Sequence, residues 1–298
     1  MQLLNSQSGT GKRLHLPTLV TKGIIMASCF VCPPTKRSLL GAIQAIGIAA
    51  ALLSMGVARQ SQATSLITNG SFESLTTQAS LQFGTGYTTS KTGVPVPVQT
   101  VTGWTTSGYN FVFLPGTADT TGATGASGSL KLWGPGDKLA GESDNGLPAY
   151  SPDGGNYIAA DGAYQVATIN QTLTGLSPGS LAVVSFYWAG AQQSGYSGAT
   201  TEQWTVGFTN DPNQATPVVQ NTNHGFTGWT QQTFSFVVKS TTAVLSFLAN
   251  GTPGGEPPFS LLDGVTLVQV PEPASWAVLL TGCGLAGLAV RRRTLSRR

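Results

Sequence analysis

Along the middle of the chain, large apolar residues alternate with small or polar ones. Val184, Phe186 and Trp188 within 182–188, Trp204, Val206 and Phe208 within 203–208, and Phe234, Phe236 and Val238 within 233–238 each project to one side of an extended segment. Segments 243–248 and 264–268 share this β-branched and aromatic character, so five strands are predicted, with these alternating side chains as the core. Turn formers punctuate them at 176–179, 210–213 and 250–255, the spacing of an antiparallel sandwich. Between 64 and 270 no ten-residue stretch has a helical period. Segment 116–156, dense in Gly, Ser and Pro, reads as long loops around one or two strands near 130–133. The predicted fold class is therefore all-β: a single antiparallel β-sandwich over 64–270, about 207 residues and enough for one substantial core.

Two apolar segments follow a different rule. Residues 39–57 are apolar and rich in Ala and Gly, with Lys36 and Arg37 before them and Ser61-Gln62-Ala63 after. That order is a secretory signal helix, with cleavage expected after Ala63; the alternative is a permanent anchor. Because a signal helix normally starts near the initiator, Met26 is a better start than Met1, and 1–63 is read as leader and signal peptide. At the other end Val270 precedes Pro271-Glu272-Pro273, an uncharged run over 274–290, and Arg291-Arg292-Arg293. At about 1.5 Å per residue the run reaches roughly 25 Å, the short end of a transmembrane helix. The arginines hold its end on the inner side of the membrane. The segment between the two basic clusters is thus expected across the inner membrane.

The order Pro-Glu-Pro, apolar helix, arginine cluster over 271–298 resembles the PEP-CTERM sorting signal of exopolysaccharide-producing Gram-negative bacteria. The resemblance implies that an exosortase recognises Pro271, Glu272 and Pro273, with Arg291, Arg292 and Arg293 completing the signal, and passes the ectodomain to the cell surface or matrix. Signal peptidase is the other implied partner. An ordinary single-pass tail anchor is the alternative.

Charge changes the picture once the ends are set aside. The whole chain carries +3, but 64–270 holds four lysines, no arginine and eleven acids, a net −7. The basic footprint of a nucleic-acid binder is missing from this part, so no nucleic-acid partner is expected. Charged residues are 9% of the chain against about 25% in ordinary soluble proteins, their place taken by Thr, Ser, Gly, Asn and Gln. Such a surface suits polysaccharide contact, and equally a protein that only has to stay soluble outside the cell. Cys29, Cys32 and Cys283 all fall in the targeting segments, so 64–270 has no disulfide to form, and with His224 its one histidine it offers no zinc set. Asn69, Asn170 and Asn250 open glycan-acceptor triplets, a weak signal in a bacterial chain.

A second resemblance runs through short pieces: 66–73 with Asn69-Gly70-Ser71-Phe72-Glu73, Gly103-Trp104, 155–159, 169–173, 176–179 and 262–267. Together they resemble the galactose-binding-like jelly rolls, which include carbohydrate-binding modules and the DUF642 cell-wall proteins. The resemblance implies a jelly-roll sandwich and a structural calcium held by Glu73 and Asp263 where first and last strands meet. In the alternative, Glu73 is a solvated strand-edge acid and Asp263 a turn former before Gly264.

Sugar recognition needs flat aromatic faces bordered by hydrogen-bonding groups. Trp133, Tyr150, Tyr157, Tyr196 and Trp229 on loop-like segments are the carbohydrate-binding candidates, with Asn156, Gln192, Gln193 and Asn223 as polar neighbours, while Trp104, Trp188 and Trp204 are assigned to the core. A glycoside hydrolase would need two carboxylates roughly 5 to 10 Å apart. Asp153, Asp161, Glu202 and Asp263 are available, but their spacing selects no pair, and no nucleophile triad is legible. His224 reads as a loop residue. A non-catalytic surface protein that touches polysaccharide, a purely structural envelope protein and a hydrolase are the three readings, in that order.

Overall fold

Aromatic and β-branched side chains at every second position need a partner layer, and the molecule supplies one by pairing two sheets. The structure is a computed structural model describing residues 65–84, 87–89, 92–136 and 144–270. The signal helix over 39–57, the cleavage site at Ala63 and the tail helix over 274–290 lie outside the described residues. In chain order the strands are β1 (Leu81–Gln82), β2 (Tyr87–Thr89), β3 (Pro95–Pro97), β4 (Asn110–Phe113) and β5 (Ala123–Gly125). Next come β6 (Gly128–Leu130), β7 (Tyr157–Asp161), β8 (Ile169–Thr174), β9 (Leu181–Gln192) and β10 (Thr200–Phe208). The last five are β11 (Asp211–Ala215), β12 (Val219–Asn221), β13 (Thr230–Val237), β14 (Thr242–Thr252) and β15 (Pro258–Val270). Among the described residues there is no helix.

One sheet runs β13-β9-β15-β7-β4-β1-β5-β6, the other β11-β10-β14-β8 with β12 beside β10, and β2 and β3 form a small hairpin. Pairing is antiparallel except between β1 and β5. The five predicted strands are present as β9, β10, β13, β14 and β15, each extended beyond its alternating stretch. The turn expected over 210–213 is shorter than its composition suggests. The chain reverses at Thr209-Asn210, with Asn210 at φ 63°, and Asp211 to Asn213 already belong to β11.

Between the sheets lies one core that contains all nine alternating residues, from Val184 and Trp188 to Phe236 and Val238, with Trp104 and Trp204 buried among them. A bulge in β15 keeps its alternation in phase. Pairing with β9 shifts register between Asp263 and Thr266, and Gly264, at φ 59°, is the inserted residue. It lets Leu262, Val265 and Leu267 all face the core.

The outer face of the larger sheet is also covered. Phe111 and Phe113 from β4, Tyr157 and Ala159 from β7, and Phe259 and Leu261 from β15 form a second buried cluster with Leu130, Leu132 and Leu147. The lid over them comes from the Gly-rich stretches 116–136 and 144–150 and from Phe226 and Trp229. Strands buried on both faces lose alternation, which is why β4 and β7 are short continuous apolar runs.

Candidate functional site

At the edge of this second cluster four elements end together. β7 stops at Asp161, opposite Phe259 near the start of β15, and Gln192 at the end of β9 pairs with Pro258. Tyr109 stands just before β4, whose Asn110 pairs with Ala160. Around these ends is a cleft of about 240 Å³, lined by Tyr109, Ser127, Asp161, Tyr164, Gln193, Tyr196, Gly255 and Pro257.

Asp161 organises it. Its Oδ1 accepts the main-chain N–H groups of Ala163 at 2.8 Å and Tyr164 at 2.9 Å, a side-chain turn that swings Tyr164 over the strand end. Its Oδ2 has no hydrogen-bond partner, although the residue is only 2% exposed. Burial pushes Asp161 up to about 6, against the two N–H groups that hold it down. Tyr109 forms the floor, with its ring edge-on to Tyr164 at 5.2 Å and Ser127 within reach of its hydroxyl. Burial likewise raises the Tyr109 phenol. Tyr164 and Tyr196 stay 49% and 42% exposed, so part of each aromatic side chain is open to solvent at the cleft. The cleft thus combines partly exposed aromatic side chains with a partnerless acceptor and the Gln193 amide.

The residues singled out from sequence are divided between this cleft and its support. Tyr196 and Gln193 line it. Trp133 does not: it is 5% exposed and packs its ring on His224 at 3.8 Å. Its Nε1–H donates to the Tyr196 carbonyl at 2.8 Å. Around it, Gln192 Nε2 donates to the Gly198 carbonyl, Asn223 Oδ1 accepts the Gly198 N–H, and His224 Nε2 meets the Ser197 hydroxyl at 2.8 Å. Trp133, Gln192, Asn223 and His224 therefore pin the loop that presents Tyr196. Tyr157 is 1% exposed and meets the half-buried Trp229 edge-on at 5.6 Å, so both serve the lid of the second cluster. Tyr150 is 56% exposed, away from the cleft lining. Tyr109, Tyr164 and the place of Asp161 in this cleft escaped the sequence reading. The available signal was Asp161-Gly162-Ala163-Tyr164 at the end of an apolar run, an acid able to cap a turn with an aromatic three residues on.

The proposed calcium residues meet at another place. The opening segment docks on β15: Leu66 donates to Leu267 at 2.8 Å and Val265 to Gly70 at 3.0 Å. Gly70 is needed there, because a Cβ would overlap the Val265 carbonyl. Glu73 Oε1 accepts the Asn156 N–H at 2.6 Å and the Asn156 side-chain amide donates to the Phe72 carbonyl, so Asn156 belongs to this junction. Asp263 is fully buried, bonded to the Ser151 hydroxyl, with Oδ1 unpartnered. Burial pushes it up to about 8, opposed by the Ser151 hydroxyl, and Asp153 and Glu73 add to the rise. Among the described residues no three His, Cys, Asp or Glu side chains converge as a metal set. Glu202 lies in a third place, fully buried beside Gly190 and Thr227.

Residues 269–293 match the family described as the PEP-CTERM protein-sorting motif, a range that takes in Pro271-Glu272-Pro273 and Arg291-Arg292-Arg293. The chain carries that motif. Among curated proteins none matches. Among solved structures the chain is similar to TmCBM61 in complex with beta-1,4-galactotriose, at 11% identity and TM-score 0.33 over 57% of this chain and 90% of that one. It is also similar to a CBM4 structure, at 17% identity and TM-score 0.28 over 68% and 99% of the two chains. A third is the CBM22-1 xylan-binding domain from Paenibacillus barcinonensis, at 14% identity and TM-score 0.29 over 65% and 94%.

Proposed function

We propose that this chain is processed by signal peptidase and an exosortase, delivered to the cell surface or matrix, and there binds polysaccharide through the tyrosine cleft without cleaving it. The observation that carries the binding reading is the partnerless Oδ2 of Asp161, buried at the wall of a cleft lined by three tyrosines. A buried acceptor without a partner is costly, and a sugar hydroxyl is the donor it lacks. The tyrosines offer the flat apolar faces that a pyranose ring covers. Cleavage needs a second carboxylate, and among the described residues lining the cleft Asp161 is the one acid, which favours binding over hydrolysis.

The test uses protein recovered from the surface fraction, with its first residue expected at Thr64. Retention on insoluble or gel-entrapped polysaccharide should be saturable, and Tyr164→Ala and Tyr196→Ala should each weaken it about tenfold or more. Trp133→Phe, which removes the donor to the Tyr196 carbonyl, should weaken it by a smaller factor. Retention of every variant at the wild-type level would leave the purely structural reading in its place.

Calcium at the Glu73 and Asp263 junction is the second part of the proposal. An ion there would give Asp263 Oδ1 the partner it lacks and offset the charges of Glu73 and Asp153. Main-chain carbonyls would have to complete an oxygen shell of about six. Calcium should then raise the melting temperature of the full chain by about 4 °C over chelator, and Asp263→Asn should abolish the difference. Equal melting in calcium and chelator means that Asp263 is simply a protonated buried acid.

A further inference from the structure

Resting on the reading of the tyrosine cleft as a polysaccharide site, we propose that the cleft is selective for uncharged glycans and rejects chains bearing uronate, sulfate or phosphate, because among the described residues that line it the one charged side chain is a buried carboxylate and none is a cation.

An ionised Asp161 can only accept, and its Oδ1 is already occupied by two main-chain N–H groups, so Oδ2, itself buried at the cleft wall, is the vacancy left for a donor. A hydroxyl fills it with a charge-assisted bond. A uronate or sulfate oxygen cannot donate, and placing it there sets two like charges side by side in a poorly solvated spot. The remaining polar lining, Ser127, Gln193 and the tyrosine hydroxyls, is neutral and suited to hydroxyls. Among the described residues no Lys, Arg or His lines the cleft. Lys239 pairs with Asp211 at 3.1 Å, and His224 is stacked on Trp133 behind the Tyr196 loop. Rejection by an unpaired charge is a specificity device that works without improving any contact to the preferred ligand.

The net −7 of residues 64–270 would also repel polyanions, but over distance and through solvent. Salt distinguishes the two, because long-range repulsion is screened and a contact inside the cleft is screened far less. The experiment is affinity electrophoresis of the full chain in mild detergent through gels holding neutral β-glucan, galactan or mannan, each paired with the same polymer oxidised at C6 to the uronate. The neutral member should bind about tenfold tighter, and the ratio should persist at about 0.5 M salt. Asp161→Asn keeps an oxygen for the Ala163 and Tyr164 N–H groups while removing the charge, and should shrink the ratio about threefold or more. Equal or tighter binding of the oxidised polymer overturns the proposal, as does a ratio that vanishes in salt or is unchanged in Asp161→Asn. Those results leave polysaccharide binding intact. Failure to bind any polymer, or binding indifferent to Tyr164→Ala and Tyr196→Ala, removes the cleft itself as a sugar site and the selectivity with it.

Discussion

Phe247→Ala is expected to lower the unfolding free energy of the chain by about 3–5 kcal/mol, the range for deleting a fully buried ring. Phe247 is not one core residue among many. It projects from β14 into the space where the two sheets meet, fully buried, with Phe186 of β9 edge-on at 5.1 Å, Trp204 of β10 at 6.0 Å and Trp104 at 6.2 Å. Trp104 in turn packs on Phe72 at 5.3 Å and donates to the Asn69 carbonyl, so this group ties the opening segment to both sheets. Phe186 and Trp204, held by main-chain ladders, cannot close over the gap, which puts the cost toward the upper end of the range. Val244→Ala on the same strand, 39% exposed, is the control and should change stability by less than about 0.5 kcal/mol. Urea unfolding with an unchanged slope would measure both. A loss below about 1 kcal/mol for Phe247→Ala would mean that the aromatic group repacks and is not the structural centre.

That centre was legible because its strands face a core on one side and solvent on the other. β10, β13 and β14 keep the period of two almost without interruption, and Trp204, Phe236 and Phe247 announce themselves. The larger sheet was read less well for a physical reason. Its central strands are covered on both faces, so Phe111-Val112-Phe113 and Tyr157-Ile158-Ala159-Ala160 carry no alternation, and the Ala and Leu side chains that cover them sit in stretches dense in Gly and Ser, a composition that looks like exposed loop. The same burial misdirected the search for ligand aromatics. Trp133 and Tyr157 stand among turn formers in sequence, yet the loops around them fold down and enclose them. Tyr196 was identifiable as a loop aromatic. Tyr109 and Tyr164 were not, since what brings them into one cleft is the shared ending of β7, β9 and β15, a fact of topology that no local pattern encodes.

Glu202 is where sequence and structure combine into the sharpest pH effect. It occupies an inward position of β10, two residues from Trp204, where alternation demands an apolar side chain. Thr200 donates to its Oε1 at 2.5 Å. The Asn221 amide, which donates to the Gly225 carbonyl at 3.2 Å, also lies near, and Oε2 sits against the bare α-carbon of Gly190. Burial pushes Glu202 up to about 7, with the Thr200 hydroxyl and Asn221 opposing the rise. A raised acid binds its proton more tightly when folded than when unfolded. Between about pH 4.5, its ordinary value, and pH 7 the native chain therefore keeps a proton that the unfolded chain releases, and stability falls as pH rises through that window before levelling off. At about 1.4 kcal/mol for each pH decade, the loss is roughly 3 kcal/mol. Asp161 and Asp263 are raised in the same direction, so the wild-type chain should melt higher at pH 5 than at pH 8. Glu202→Gln isolates one contribution: its amide oxygen still accepts from Thr200 and no proton is needed for neutrality. The substitution should be nearly neutral at pH 5 and stabilising by about 2–3 kcal/mol at pH 8, flattening the pH profile of denaturant midpoints by that amount. Equal destabilisation at both pH values would show that the carboxylate is charged in the folded chain and held by a partner, and the buried neutral acid would have to be abandoned.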